Sequence, residues 1–243
     1  MRILLWAEFQ KLRRQSIVLV AVFATILVAV TVLIGGKSGG AGLRYTKDAG
    51  FYMTTTQVWA TLFVLPAVVA LMGSYMICRE EQDDTIKSLR LIPVSESKLT
   101  AAKMIVTFIF SILIYLLLFV ITLLTETVMR FAALSLGMVL EFLKMYLLEG
   151  AGVFLAVSPI IAIVPYWKKS YWLALLLAEV YSFAGLFMSM SNTLRTFYPI
   201  TAIFGISGYY ETTAANRIKS LIMLLLCGCL SLLILKRLNA RTK

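Results

Sequence analysis

Uncharged apolar runs of about 20 residues, the length a helix needs to cross a hydrocarbon core, alternate along this chain with short polar segments. They predict six membrane-spanning helices, over 16–34, 58–78, 104–125, 144–164, 171–190 and 218–235. The sixth is the shortest of these. Residues 1–15 read as a basic amphipathic helix. Leu5, Phe9 and Leu12, with Trp6 beside them, form an apolar stripe, and Glu8, Lys11 and Gln15 sit opposite. Such a helix lies in the plane of the membrane interface. The run 16–34 exceeds the apolar core of a signal peptide and reads as an uncleaved first span.

The connections are less regular. Five glycines open a predicted loop over 35–56, and 126–141 reads as an interfacial helix or as the run-up to the fourth span. Pro159 is expected to kink that span, a break tolerated in membranes when neighbours satisfy the freed carbonyl. Tyr166, Trp167, Lys168 and Lys169 make a tight aromatic and basic turn. The polar stretch 191–216, interrupted by Pro199, reads as an outer hairpin, re-entrant or interfacial, with the re-entrant form favoured.

Composition supports the same class. Of 243 residues, 60% are hydrophobic and 14% charged, against about 25% charged in soluble domains. The fold class is an all-α membrane protein, with residues 1–243 as a single domain. The net charge of +11 would suggest nucleic acid in a soluble protein; here it sorts by side of the membrane. Six spans place both termini on one side, together with 79–103 and Lys168–Lys169, and that side carries 15 of the 23 lysines and arginines. The positive-inside rule therefore places both termini in the cytoplasm, and the expected surroundings are membrane lipid, not nucleic acid.

The segment 79–103 holds ten of the 35 charged residues, between two apolar runs. Glu80, Glu81, Asp83 and Asp84 crowd the first turns of a helix, where its dipole favours negative charge, and Lys87 and Arg90 follow toward its C-terminus. Pro93 stops it, because the residue before a proline is pushed out of helical geometry. On residues alone this is a solvated, cytoplasmic helix and turn.

Glu80, the run Thr85-Ile86-Lys87, Leu89, the turn Pro93-Val94-Ser95, and then Lys98 and Lys103 resemble the intracellular loop of ABC-2 type transporter permeases. Asp84, Arg90 and Glu96 depart from that pattern. The interfacial start, six spans, length and the Tyr198-Pro199 connection are similar to the same family, and the layout looks most like permeases of bacitracin and lantibiotic self-protection exporters. The resemblance implies that the segment is a coupling helix docking onto a separate ATP-binding cassette subunit through Glu80, Glu81, Asp84, Thr85, Lys87 and Leu89, beside residues 1–14. It also implies a second permease copy or a paralogous permease. This chain would bind no cofactor, with ATP and Mg held by the partner subunit.

Glu149 and Glu179 each interrupt an apolar span, and an intramembrane carboxylate is costly unless paired or hydrated. They are the expected polar sites on a translocation path, or else structural contacts to Arg130, Arg195 or a tyrosine hydroxyl. A stand-alone ion-coupled carrier using the same two carboxylates is the alternative reading, against which stands the lack of inverted repeats or paired broken spans. The chain has no histidine, which removes the commonest metal ligand and general base and argues against an intramembrane enzyme. Its three cysteines, Cys78, Cys227 and Cys229, lie in apolar runs and suggest neither a disulfide framework nor a thiolate site. Gly36-Lys37-Ser38 resembles the tail of a phosphate loop, but Thr31 stands where its first glycine belongs and no strand precedes it.

Overall fold

Small residues decide which helix sits at the centre. The computed structural model describes residues 2–13, 15–38, 49–82, 96–130, 134–164 and 171–241. These form α1 (Arg2–Arg13), α2 (Ser16–Ser38), α3 (Phe51–Trp59), a π-helical turn (Ala60–Val64), α4 (Leu65–Gln82), α5 (Glu96–Arg130), α6 (Leu136–Ile163), α7 (Tyr171–Met188), α8 (Asn192–Phe197), α9 (Pro199–Ser207) and α10 (Ala214–Arg241). Six helices among the described residues are long and apolar enough to cross a membrane. The all-helical, six-span reading therefore holds.

The central helix is α6, which packs against α4, α5, α9 and α10. A side chain built on Gly150 would come within 3.1 Å of the Ile112 backbone of α5, and one on Gly152 within 3.0 Å of Ile203 of α9. Small residues let helix backbones approach in lipid, where close packing replaces the hydrophobic drive of water. Gly73 does the same for α4, meeting Ile161 of α6 and Thr107 of α5. At the periphery, α2, α7 and α10 show apolar side chains outward, among them Leu19, Phe23, Trp172, Val180, Leu221 and Leu226. Exposed apolar faces of that extent fit a lipid surround.

Most boundaries lie outside the expected ones, for a common reason. Charge ends a hydrocarbon crossing but does not end a helix. The second span begins at Phe51 rather than residue 58, because Thr54 and Thr55 return their hydroxyls to the carbonyls of Gly50 and Phe51. The fourth begins at Leu136, ahead of Glu141 and Lys144, since the Ser135 side chain caps it by accepting from the Met138 N–H. Residues 126–130 belong to the third span, a 35-residue helix of ~52 Å, longer than the ~40–45 Å of a whole bilayer. The shortest candidate span is the fifth, of 18 residues, and not the sixth, of 24. Around the sixth, Arg217, Lys219, Lys236 and Arg237 remain helical with exposed side chains. Gly36 and Ser38 close α2 instead of opening a loop.

Two local features also follow from sequence. The π-helical turn ends just before Pro66; the Leu65 N–H reaches back five residues to the Ala60 carbonyl, and the widened turn accommodates a ring that would clash in regular helix. In α1, Leu12 and Glu8 are buried and Trp6 is exposed. Glu8 thus lies on the inward face beside Leu5 and Leu12, not opposite them. It accepts from Lys11 at 2.8 Å, and that pairing lets α1 lay this face on α5. The hydroxyl of Tyr75 donates to Gln15 at 2.7 Å, tying the start of the first span to α4.

Candidate functional site

Glu149 lies at the middle of α6 and is fully buried. Gln57 of α3 donates its Nε2 to one carboxylate oxygen, and Thr61 of the π-helical turn donates to the other at 3.1 Å. Residues 57 and 61, four apart, share one helix face. The Thr61 hydroxyl also lies 2.8 Å from the Tyr115 hydroxyl of α5. Since Thr61 spends its single proton on Glu149, Tyr115 is the donor in that second contact. Three spans thereby converge on one carboxylate. Among the described residues no lysine or arginine pairs with it, so neither Arg130 nor Arg195 neutralises it.

The cluster continues toward the α3 end of the bundle. Tyr146, almost one turn before Glu149, donates to the Met53 carbonyl at 2.9 Å and lies 3.3 Å from the Thr122 hydroxyl. Ser111 donates to the Gly150 carbonyl at 2.7 Å. Glu126 is buried and accepts the Gly50 N–H at 2.8 Å, while Tyr52 donates to the Ala29 carbonyl of α2. The Thr56 hydroxyl and the Gln57 Oε1 are buried without a partner among the described residues. Two orphaned polar atoms beside a buried carboxylate are unusual, because buried polar groups are nearly always satisfied.

The stretch 191–213 closes over this cluster as two short helices broken at Tyr198. Pro199 opens α9 at its first turn, where a missing N–H costs nothing. From Pro199 to Gly205 the helix is wholly buried, packed between α6 and α10. Tyr198 donates to the Tyr181 carbonyl of α7, and Ser220 of α10 donates to the Thr196 carbonyl at 3.2 Å. The Arg195 guanidinium stacks over the Tyr210 ring, 4.4 Å from its centroid. Burial pushes the Tyr209 and Tyr210 hydroxyls up from their ordinary range; the Glu149 charge adds to this, and for Tyr210 Arg195 opposes it. Both tyrosines are therefore within electrostatic reach of the buried carboxylate.

The other expected site residues distribute differently. Glu179 of α7 is half-buried and makes no hydrogen bond or ion pair with any described residue. It neighbours the exposed stripe of Leu176, Val180 and Phe183. The two carboxylates are thus unlike: Glu149 is enclosed and held, Glu179 open and unpartnered. Glu80 and Glu81 fall in the last turn of α4, their side chains outside the described residues. Asp84, Thr85, Lys87, Leu89 and the Pro93 stop lie outside them altogether. Gln57, Thr61, Tyr115, Tyr146 and Glu126 were not anticipated. The i, i+4 pair Gln57–Thr61 was the available signal, hidden because the expected second span begins at residue 58, one past Gln57. Among the described residues no group of three or more Cys, Asp or Glu side chains is placed to hold a metal.

A six-span bundle with a helical hairpin buried against its central span, and a charged connection after its second, describes a multi-pass membrane protein. Residues 4–185 match the family described as ABC-2 family transporter protein, and the chain belongs to it. It is also 30% identical over 114 residues to the bacitracin transport permease protein BCRB of Bacillus licheniformis. That similarity covers 47% of this chain and 55% of the relative, so the chain spans about half the length of the relative it matches.

Proposed function

We propose that this chain is the permease subunit of an ATP-driven exporter that moves a hydrophobic or amphipathic compound, an antimicrobial peptide or antibiotic, and so gives immunity or resistance. The supporting observation is family membership over residues 4–185, and the bacitracin permease similarity supports the substrate class. ATP and Mg are held by a separate ATP-binding cassette subunit and not by this chain. The ATPase docks on the cytoplasmic face at Glu80, Glu81, Asp84, Thr85, Lys87 and Leu89, beside the interfacial helix α1. Both termini face the cytoplasm of a bacterial cell, and a second permease, identical or paralogous, completes the path.

Within the subunit the two carboxylates divide the work. Glu179, half-buried and unpartnered on α7, meets the cationic substrate or the facing subunit. Glu149 acts from inside the wall of the path, holding α3 and the π-helical turn against α6. The alternative of an ion-coupled carrier using the same residues makes an opposite prediction about ATP.

The test is co-expression with candidate ATP-binding subunits, reading copurification, ATPase stimulation and cellular resistance. Wild-type chain is expected to copurify and confer resistance that depends on the partner's ATP hydrolysis. Glu80→Lys with Glu81→Lys should abolish association or uncouple transport. Undiminished copurification and export by that variant would remove the docking assignment; transport independent of any ATPase would support the carrier. Glu179→Gln should lower resistance without lowering expression.

A further inference from the structure

A groove of about 590 Å³ runs along the outside of the bundle between the start of α5, the second half of α6, and α10. Its walls are apolar, with Met104, Phe108, Phe154, Leu155 and Leu232 prominent, and Lys236 stands at one end. Gly228 lines it without a side chain, and a Cβ there would lie 3.1 Å from Leu155. We propose that this groove is a binding site for one anionic phospholipid, its acyl chain lying between α5 and α10 and its phosphate paired with Lys236.

Length supports an acyl chain. Leu225 and Lys236, both in the lining, are eleven residues apart on one helix, ~16 Å along its axis. Half of a ~30 Å hydrocarbon core is ~15 Å, so the groove is as long as one leaflet is deep. The lining is almost wholly apolar over that length, as an extended hydrocarbon chain requires.

Charge selects the headgroup. Lys236 is exposed and has no acidic partner among the described residues, and Arg237 follows it with an exposed side chain. A cation at the depth where the acyl chain ends favours a phosphate that no neighbouring ammonium neutralises. Thr100 and Ser231 add polar surface to the lining.

The test uses the full chain in nanodiscs of phosphatidylcholine with graded phosphatidylglycerol of the same acyl chains, and native mass spectrometry to count lipids retained on release. The wild type should retain one phosphatidylglycerol per chain, with a preference over phosphatidylcholine of roughly fivefold, as expected for one lysine at the surface. Lys236→Glu, an exposed change that leaves the bundle intact, should abolish the preference, and Lys236→Arg should keep it. Ala101→Phe, which projects into the groove, should abolish retention of either lipid in a sample still monodisperse by size exclusion. Equal retention of the two lipids by the wild type, or undiminished retention by Ala101→Phe, overturns the proposal. So does a Cys229–Cys229 disulfide formed between two copies under mild oxidation, which would show this face covered by protein.

Discussion

Replacing Gln57 and Glu149 by leucine, singly and together, tests whether the buried cluster acts as one unit. Glu149 accepts from Gln57 and Thr61 inside a fully buried site. Hydrogen bonds to charged groups contribute ~1.5–3 kcal/mol, and leaving a buried donor unpaired costs ~1–3 kcal/mol. In Glu149→Leu the Thr61 hydroxyl keeps Tyr115, so the orphan is the Gln57 amide. Part of its cost is offset because no carboxylate has to be desolvated. A net destabilisation of ~2 kcal/mol results, and Gln57→Leu, which strips one bond from the carboxylate, should cost a similar ~2 kcal/mol. The double variant leaves neither orphan, so it should cost less than either single change and far less than the ~4 kcal/mol of independent sites. At ~2–4 °C per kcal/mol for a chain of about this size, each single variant should melt ~4–8 °C low and the double variant closer to the wild type. Fluorescence-detected size exclusion after heating reads this directly. Additive shifts, near twice either single change, would refute the account. So would Glu149→Gln falling as far as Glu149→Leu, because glutamine can still accept from Gln57 and donate to Thr61 while Thr61 turns to Tyr115.

The helix contacts make further predictions. Gly150→Ala should destabilise by ~1–3 kcal/mol through overpacking, since its Cβ meets the Ile112 and Ser111 backbones. Gly137→Ala, with open space around it, should be neutral or stabilising by up to ~1 kcal/mol; thermal melts of the pair give the contrast. Glu126→Leu should cost ~1–3 kcal/mol by orphaning the Gly50 N–H, and Gly50→Ala should be worse than neutral, because φ is +80° and Phe142 lies 2.8 Å from the added carbon. Arg195→Ala should loosen the 191–213 hairpin by ~0.5–2 kcal/mol through loss of the Tyr210 stack, read as faster proteolysis there with the bundle otherwise intact.

The spans were legible because lipid imposes one rule, a long uncharged run, on all of them. Their ends were not, because helices continue through charge wherever side chains reach water or a partner. Ser135 capping α6, and Thr54 and Thr55 folding onto their own helix, mark continuations that a hydropathy reading cuts short. The site was half legible. Glu149 and Glu179 announce themselves as carboxylates in apolar runs, but the difference between them is tertiary. Glu149 is matched by Gln57 and Thr61 from 92 and 88 positions away, and only packing reveals that Glu179 has no counterpart among the described residues. Glu126 looked like the limit of a span, because nothing local distinguishes it from the carboxylates that do end helices at water. Its partner is a backbone N–H at Gly50.

The second span joins these features mechanically. From Phe51 to Gln82 it is one helical rod, ~48 Å long, with Gln57 and Thr61 near one end and Glu80 and Glu81 at the other. Regular helix is stiff along such a length; the compliant place is the π-helical turn before Pro66, where the ladder is irregular. Below that turn, Gly73 packs α4 against Ile161 of α6 and Thr107 of α5 so closely that a Cβ there would lie 2.7 Å from the Ile161 side chain and force it to move. A push on the Glu80 end therefore cannot slide α4 alone. It must carry the lower halves of α5 and α6 with it, and the strain collects at the turn that holds Thr61 against Glu149. If the proposed ATPase docks at the Glu80 end, Gly73→Leu and Glu149→Leu should fail differently in the reconstituted complex. Gly73→Leu breaks the pin, so the ATPase should bind and hydrolyse while transport stops. Glu149→Leu loosens the pivot, and its transport defect should track its loss of thermal stability. If both variants lose ATPase binding and transport in proportion to stability, the rod is scaffolding and the force travels elsewhere.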